Sequence, residues 1–340
     1  MLYSRRAIFR SSAASSVTAA LVQSAAAPMV VENPNPERRR FRYVQVDVFT
    51  TERLRGNPLV VFTDARGMSE TEMQDLARET NLQETTFVFP RDSQIEASHG
   101  IKVRIFTPTE ELPFAGHPTL GTATVLRMKR AGSNAGQTAA STIVLDLKVG
   151  KVPVSFHATT RGIFGEMKQV DPVFGQVHDR NRVAQILGLD IAELEPDLPI
   201  QTVSTGLPFA IVPIRHLSTL GALQVDFRRL HEYLKTEAAN GTYDFYYLTR
   251  DTGDRQARIR ARSLDTLGED PATGSAAGCA AAWMVKYGIA EPDESVLIRQ
   301  GIEMKRPSEL FVRAGKNADR ISNVRVGGYA VPVMEGTASL

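Results

Sequence analysis

The chain has 340 residues, 42% hydrophobic and 23% charged, which is enough for two domains with separate cores and too balanced for a low-complexity protein. The formal charge of +2 comes from the N-terminus: residues 1–27 hold Arg5, Arg6 and Arg10 and no acid, while the rest has 37 basic and 38 acidic residues. A near-neutral body lacks the basic footprint of a nucleic-acid partner, and the single cysteine, Cys279, rules out proton exchange between two thiols.

In chain order, the first element is a leader. Ser4-Arg5-Arg6-Ala7-Ile8-Phe9-Arg10, followed by an Ala- and Ser-rich run to Ala27, reads as a twin-arginine export signal, so the expected location is periplasmic or otherwise exported. An acid-free, Arg- and Ser-rich leader also fits a mitochondrial transit peptide, and a cytoplasmic location is the remaining alternative. The run is too short and too weakly apolar to span a bilayer, so no stable membrane insertion of the mature protein is expected. Residues 28–40, with Asn33-Pro34-Asn35-Pro36, read as a linker.

The body alternates strands and helices. Strands are expected at 43–49 and 58–62, then a helix at 69–81, where Met73, Leu76, Ala77 and Thr80 recur at helical spacing. Strands at 84–89 and 102–106 precede a helix at 118–131 and a hairpin of 142–147 and 152–156 around Gly150. The second half repeats this order. A helix at 182–189 is followed by strands at 201–203, 209–212, 244–248 and 257–261, an Ala-rich helix at 271–287, and a closing strand at 323–334 that returns to the first domain.

Two segments stand out. In Phe114-Ala115-Gly116-His117-Pro118-Thr119 and Glu269-Asp270-Pro271-Ala272-Thr273-Gly274-Ser275, an ionisable residue directly precedes a proline that suits the first position of a helix. His117 and Asp270 are therefore expected at or beside two N-caps, whose free N–H groups and positive dipole ends favour an anion. Taken singly, an Asp at a helix start is ordinary capping, a lone His is usually surface or satisfied core, and most glutamates are exposed. Glu84, in Asn81-Leu82-Gln83-Glu84-Thr85-Thr86-Phe87, changes that balance. An acid between a helix and a strand, a helix-start His and a helix-start Asp together form a set suited to proton transfer.

These segments resemble the phenazine-biosynthesis PhzF-like family, relatives of diaminopimelate epimerase. The resemblance runs in order through Val46-Asp47-Val48-Phe49, Gly56-Asn57-Pro58-Leu59, residues 81–89, Arg104-Ile105-Phe106-Thr107-Pro108, residues 114–121, Ser204-Thr205-Gly206-Leu207-Pro208-Phe209, residues 269–276 and Gly327-Gly328-Tyr329. It implies an α+β fold of two pseudo-symmetric β-roll domains, each wrapped around a central helix, with the site in the cleft between them. The expected boundaries are 41–158 with the returning strand 323–334 for the N-terminal domain and 159–322 for the C-terminal domain. It further implies a cofactor-independent isomerase, with no metal, acting on a small carboxylate-bearing substrate, and a homodimer. The residue matching Glu84 would shuttle the proton. Those matching His117 and Asp270 would hold and polarise the substrate, with Gln83, Gly116, Gly274 and Ser275 contributing binding groups. Two departures bear on the substrate. Gln83 stands where the phenazine enzymes carry serine, and 262–268 lacks the aromatic and proline usual before the acidic motif. A lyase or hydratase on the same fold, or a binding protein without catalysis, are the alternatives.

Overall fold

Alternating burial along the strands and positive-φ turns divide the chain into eighteen strands and seven α-helices among the described residues. The structure, a computed structural model, describes residues 38–133, 141–236, 238, 241–265 and 268–340; the leader and most of the linker lie outside them. The first half contains β1 (Arg40–Val48), β2 (Asn57–Phe62), α1 (Glu70–Thr80), β3 (Thr85–Phe89), α2 (Ser93–His99), β4 (Ile101–Phe106), β5 (Glu111–Leu112), α3 (Gly116–Ser133), β6 (Thr142–Leu147), β7 (Gly150–Thr159) and β8 (Gly162–Lys168). The second contains β9 (Val173–Val177), α4 (Arg180–Leu187), β10 (Gln201–Ser204), β11 (Pro208–Pro213), α5 (Leu217–Ala222), α6 (Phe227–Thr236), β12 (Asp244–Thr249), β13 (Ile259–Asp265), β14 (Gly268–Asp270), α7 (Gly274–Lys286), β15 (Val296–Gln300), β16 (Ser308–Asn317), β17 (Arg320–Gly328) and β18 (Ala330–Ser339).

The pairings repeat strand for strand. In the first half β18 pairs with β1, β1 with β2, β2 runs parallel to β3, β3 pairs with β4, β4 runs parallel to β6, and β6, β7 and β8 form a meander. In the second half β9, β10, β11, β12, β13, β15, β16 and β17 follow in the same order, with parallel pairs at β11/β12 and β13/β15. Antiparallel β8 and β17 join the two rolls, and residues 39–340 form one compact unit. This is the α+β, diaminopimelate epimerase-like architecture, with one helix inside each roll.

Helix α3 packs against β1, β2 and β6, and α7 against β10, β11, β16 and β17. Every residue of α7 from Gly274 to Val285 is buried, so it is apolar on all sides as an enclosed helix must be, and its alanines keep it slim enough for the roll to close. Around these helices one core runs from Val46 and Leu120 through Ala276 to Val326. Cys279 belongs to it: burial pushes its thiol up to about 11, and the sulfur lies 3.4 Å from both Thr205 Oγ1 and the Leu207 carbonyl.

The segment expected as a single returning strand, 323–334, is divided in the structure. Residues up to Gly328 pair with β16 and β8, and the strand that returns to β1 is Ala330–Ser339. Tyr329 marks the break. Its carbonyl accepts from the Phe49 and Thr50 N–H groups at 2.7 and 3.2 Å, and its ring packs edge-on against Phe164 and Phe311.

Candidate active site

Glu84 is positioned by the end of α1 and the start of β3. Ser69 and Glu72 close a capping box at the helix start, and Met73, Leu76 and Ala77 bury its apolar face. Asn81 then adopts a left-handed conformation at φ 49°, ends the helix and turns the chain toward β3. Because β3 runs parallel to β2, with Val60 opposite Thr85, Glu84 and Asn57 emerge from the same end of two adjacent strands.

His117 comes from α3, but not from its cap. The helix begins at Gly116, so His117 lies within the first turn. Asp270 also departs from the capping expectation. It ends β14, paired with Ser263 of β13, and α7 starts only at Gly274 with Thr273 as the flanking residue. The hairpin holds Asp270 in extended backbone, which the proline that follows also favours. Its side chain accepts from Thr273 Oγ1 at 2.6 Å and from Asn57 Nδ2 at 2.6 Å.

The two helix starts meet. A Cβ built on Gly116 would lie 2.7 Å from the Ser275 nitrogen, and one on Gly274 would lie 3.3 Å from the Gly116 Cα, so glycine is needed where the backbones touch. The Gly274 carbonyl accepts from Gln169 Nε2 at 3.0 Å. Gly116, Gly274 and Ser275 are thereby brought together. Gln83 is half-buried beside Glu84 and takes no part in the hydrogen bonds described here.

Asn57 links the remaining groups. Its Nδ2 lies 3.1 Å from His117 Nδ1, 2.6 Å from Asp270 Oδ1 and 3.0 Å from the Ala272 carbonyl. Glu84 Oε2 is 3.6 Å from His117 Nδ1. Three polar atoms here are buried without a hydrogen-bond partner: Asn57 Oδ1, Glu84 Oε2 and His117 Nε2. Orphans of this kind are costly in a folded protein, and their clustering marks the place where a polar ligand would satisfy them. Behind them, Gln300 Nε2 donates to the Asp270 carbonyl at 2.8 Å and to Thr273 Oγ1 at 2.9 Å, while its Oε1 accepts from the Tyr246 hydroxyl at 2.9 Å.

Burial sets the protonation states. The Glu84 carboxyl is raised well above the usual glutamate range by desolvation, with the Asp270 and Asp265 charges adding to the effect. Burial raises Asp270 to about 6, opposed by its hydrogen bonds from Thr273 and Asn57. His117 is lowered to about 3, chiefly by burial. A cavity of about 310 Å³ opens nearby, lined by Thr107, Glu110, Tyr243, Asp244 and Asp265 with the apolar face of α6. Tyr243 and Asp265 both lie within electrostatic reach of Glu84.

Asn57, Thr273, Tyr246 and Gln300 were not singled out from the sequence as site residues. Asn57 stood in a motif noticed only as a family resemblance. Gln300 carried a readable signal, since it falls in phase with Val296 and Ile298 on the inward face of β15.

Residues 46–336 match the family described as "Phenazine biosynthesis-like protein" (PhzC-PhzF). A trans-2,3-dihydro-3-hydroxyanthranilate isomerase of Pseudomonas chlororaphis is 33% identical over 300 residues, covering 88% of this chain and 99% of the relative. A Mesorhizobium japonicum protein described as an uncharacterized isomerase is also 33% identical, over 86% of this chain and 97% of its own length. Among solved structures, a PhzF-family phenazine biosynthesis protein of Bacillus anthracis superposes with a TM-score of 0.76 at 25% identity, over 88% of this chain and 99% of that one.

Proposed function

Because the chain belongs to the phenazine biosynthesis-like PhzC-PhzF family, and is an isomerase of that family, we propose that it moves a proton between carbons of a small carboxylate-bearing substrate, without a cofactor, using Glu84 as acid and base. The observation that carries this reading is Glu84 itself: a carboxyl with one buried, unpartnered oxygen and its pKa raised well above the ordinary range. A base that takes a proton from carbon and returns it elsewhere must hold that proton between the two steps, and a raised pKa lets a carboxyl do so near neutral pH. His117 Nε2 and the Asp270 carboxyl stand ready to hold and polarise the substrate. The converging starts of α3 and α7 offer a positive end to its carboxylate. Gln83, Gly116, Gly274 and Ser275 complete the binding groups.

The test is solvent deuterium incorporation. The purified protein is incubated in D2O with a panel of small carboxylates, beginning with trans-2,3-dihydro-3-hydroxyanthranilate, the compound named for the P. chlororaphis relative. Incorporation at carbon together with an isomerised product supports the reading. Loss of a neighbouring group would point to a lyase, and binding without exchange by any compound would sink the reading. The proposal extends to a homodimer exported through the leader at 1–27. Sedimentation and the fate of an Arg5→Lys, Arg6→Lys variant test those two parts.

A further inference from the structure

We propose that Asn57 is a positioning residue of this site: its amide fixes the Asp270 carboxylate relative to the His117 imidazole and selects the imidazole tautomer that faces the ligand. Its link to turnover rests on the isomerase reading above; its link to the imidazole does not.

Asn57 is fully buried at the first position of β2 and is held there from both halves of the molecule. The preceding Gly56 adopts φ +65°, and a Cβ there would lie 2.2 Å from the Val48 carbonyl, so the turn into Asn57 needs glycine. Arg306, from the loop between β15 and β16, donates through Nε to the Gly56 carbonyl at 2.7 Å and through a terminal nitrogen to the buried Asp47 carboxylate at 2.7 Å.

Chemistry fixes which way the amide points. The Ala272 carbonyl can only accept, and so can an ionised Asp270, so the nitrogen must face them; the opposite rotamer would set oxygen against two acceptors. The same nitrogen lies 3.1 Å from His117 Nδ1. The amide has two N–H groups for these three acceptors, so one is shared between an oxygen and His117 Nδ1; an N–H aimed at Nδ1 favours a bare lone pair there and the proton of the neutral ring on Nε2. That atom is buried and has no partner within the protein. The ring therefore presents an N–H donor to whatever binds. The Pro58 backbone also engages the ring, and having no N–H it can only accept; without the Asn57 amide it favours a proton on Nδ1 instead. Asn57 is thus the group that decides between the two tautomers.

The test uses the full chain with 15N-labelled histidine, the His117 signals being assigned by their disappearance in His117→Gln. The wild type is expected to show Nε2 protonated and Nδ1 bare at neutral pH. In Asn57→Leu and Asn57→Ser the pattern is expected to reverse. If either variant turns over, its exchange rate falls by about 10² in kcat with KM changed far less, as when a catalytic imidazole is held in the wrong tautomer. A purely structural role would lower the unfolding temperature and leave the imidazole pattern of the folded fraction unchanged. Finding Nδ1 protonated in the wild type overturns the proposal even if both variants fail to fold, and so does an unchanged pattern in a folded variant. Because the spectra read the ring without turnover, an isomerase reading that failed through lack of exchange in the wild type would leave this outcome separately decided.

Discussion

Glu84 Oε2 lies 3.6 Å from His117 Nδ1, yet burial favours the neutral form of both groups, raising the carboxyl and lowering the imidazole to about 3. At the surface such a pair would ionise and attract. Here, the loss of water works against the ion pair, so the ring stays a neutral hydrogen-bonding partner and the carboxyl is suited to hold a proton between the two steps of transfer.

The imidazole should therefore stay neutral across the physiological range. Its folded pKa of about 3 lies below the ordinary 6.5, so between those values the unfolded chain binds a proton that the native protein does not. Stability is then lost as pH falls through that window. His117→Gln should flatten part of this loss in urea titrations at pH 4 and pH 7. A His117 resonance that titrates near 6.5 in the folded protein would contradict it.

Asp244 works in the opposite sense. Burial raises its carboxyl to about 7 from 3.8, so between those values the native state holds a proton that the unfolded chain has released. Its contribution falls as pH rises and is lowest above about 7. Asp244→Asn should gain stability relative to wild type at pH 8 and show little gain at pH 4. An equal difference at both values would rule this out.

Asp270→Asn removes a charge that helps to raise Glu84. The limb of the exchange rate set by Glu84 should move to lower pH and ligand affinity should drop. No loss of a helix cap is expected, because Asp270 ends β14 and does not cap α7. Movement of that limb to higher pH would refute the electrostatic account.

Gly116→Ala should be poorly tolerated. The new methyl would meet the Ser275 nitrogen at 2.7 Å and the Gly274 Cα at 2.8 Å, both backbone atoms of the facing helix start. Overpacking of this kind costs about 1–3 kcal/mol. Gly175→Ala, whose Cβ would meet Thr202 at an ordinary 3.4 Å, is the control and should cost clearly less by thermal unfolding.

Much of this site was legible because its signals are local. The run from Met73 to Thr80 and the left-handed Asn81 give the helix and its exit, which place Glu84 at the start of a strand. The prolines at 118 and 271 flagged two helix starts, which the structure places at Gly116 and Gly274. What escaped depends on partners distant in sequence. Pro271 suggested that a helix begins there, but Asp270 pairs with Ser263 and α7 begins only at Gly274. The alternation through 323–334 is nearly continuous, so nothing local marks Tyr329 as the point where the chain leaves one roll for the other. Asn57 gains its meaning only from two halves meeting at one nitrogen.

The central claim, that Glu84 carries the proton, is tested most directly by Glu84→Gln in D2O. The substitution keeps shape and polarity while removing the base, and such groups typically contribute about 10² to 10⁴ in rate. With a ligand that the wild type deuterates, the variant should fold, bind with similar affinity and lose exchange by at least about 10². Wild-type exchange by a folded Glu84→Gln protein would contradict the account.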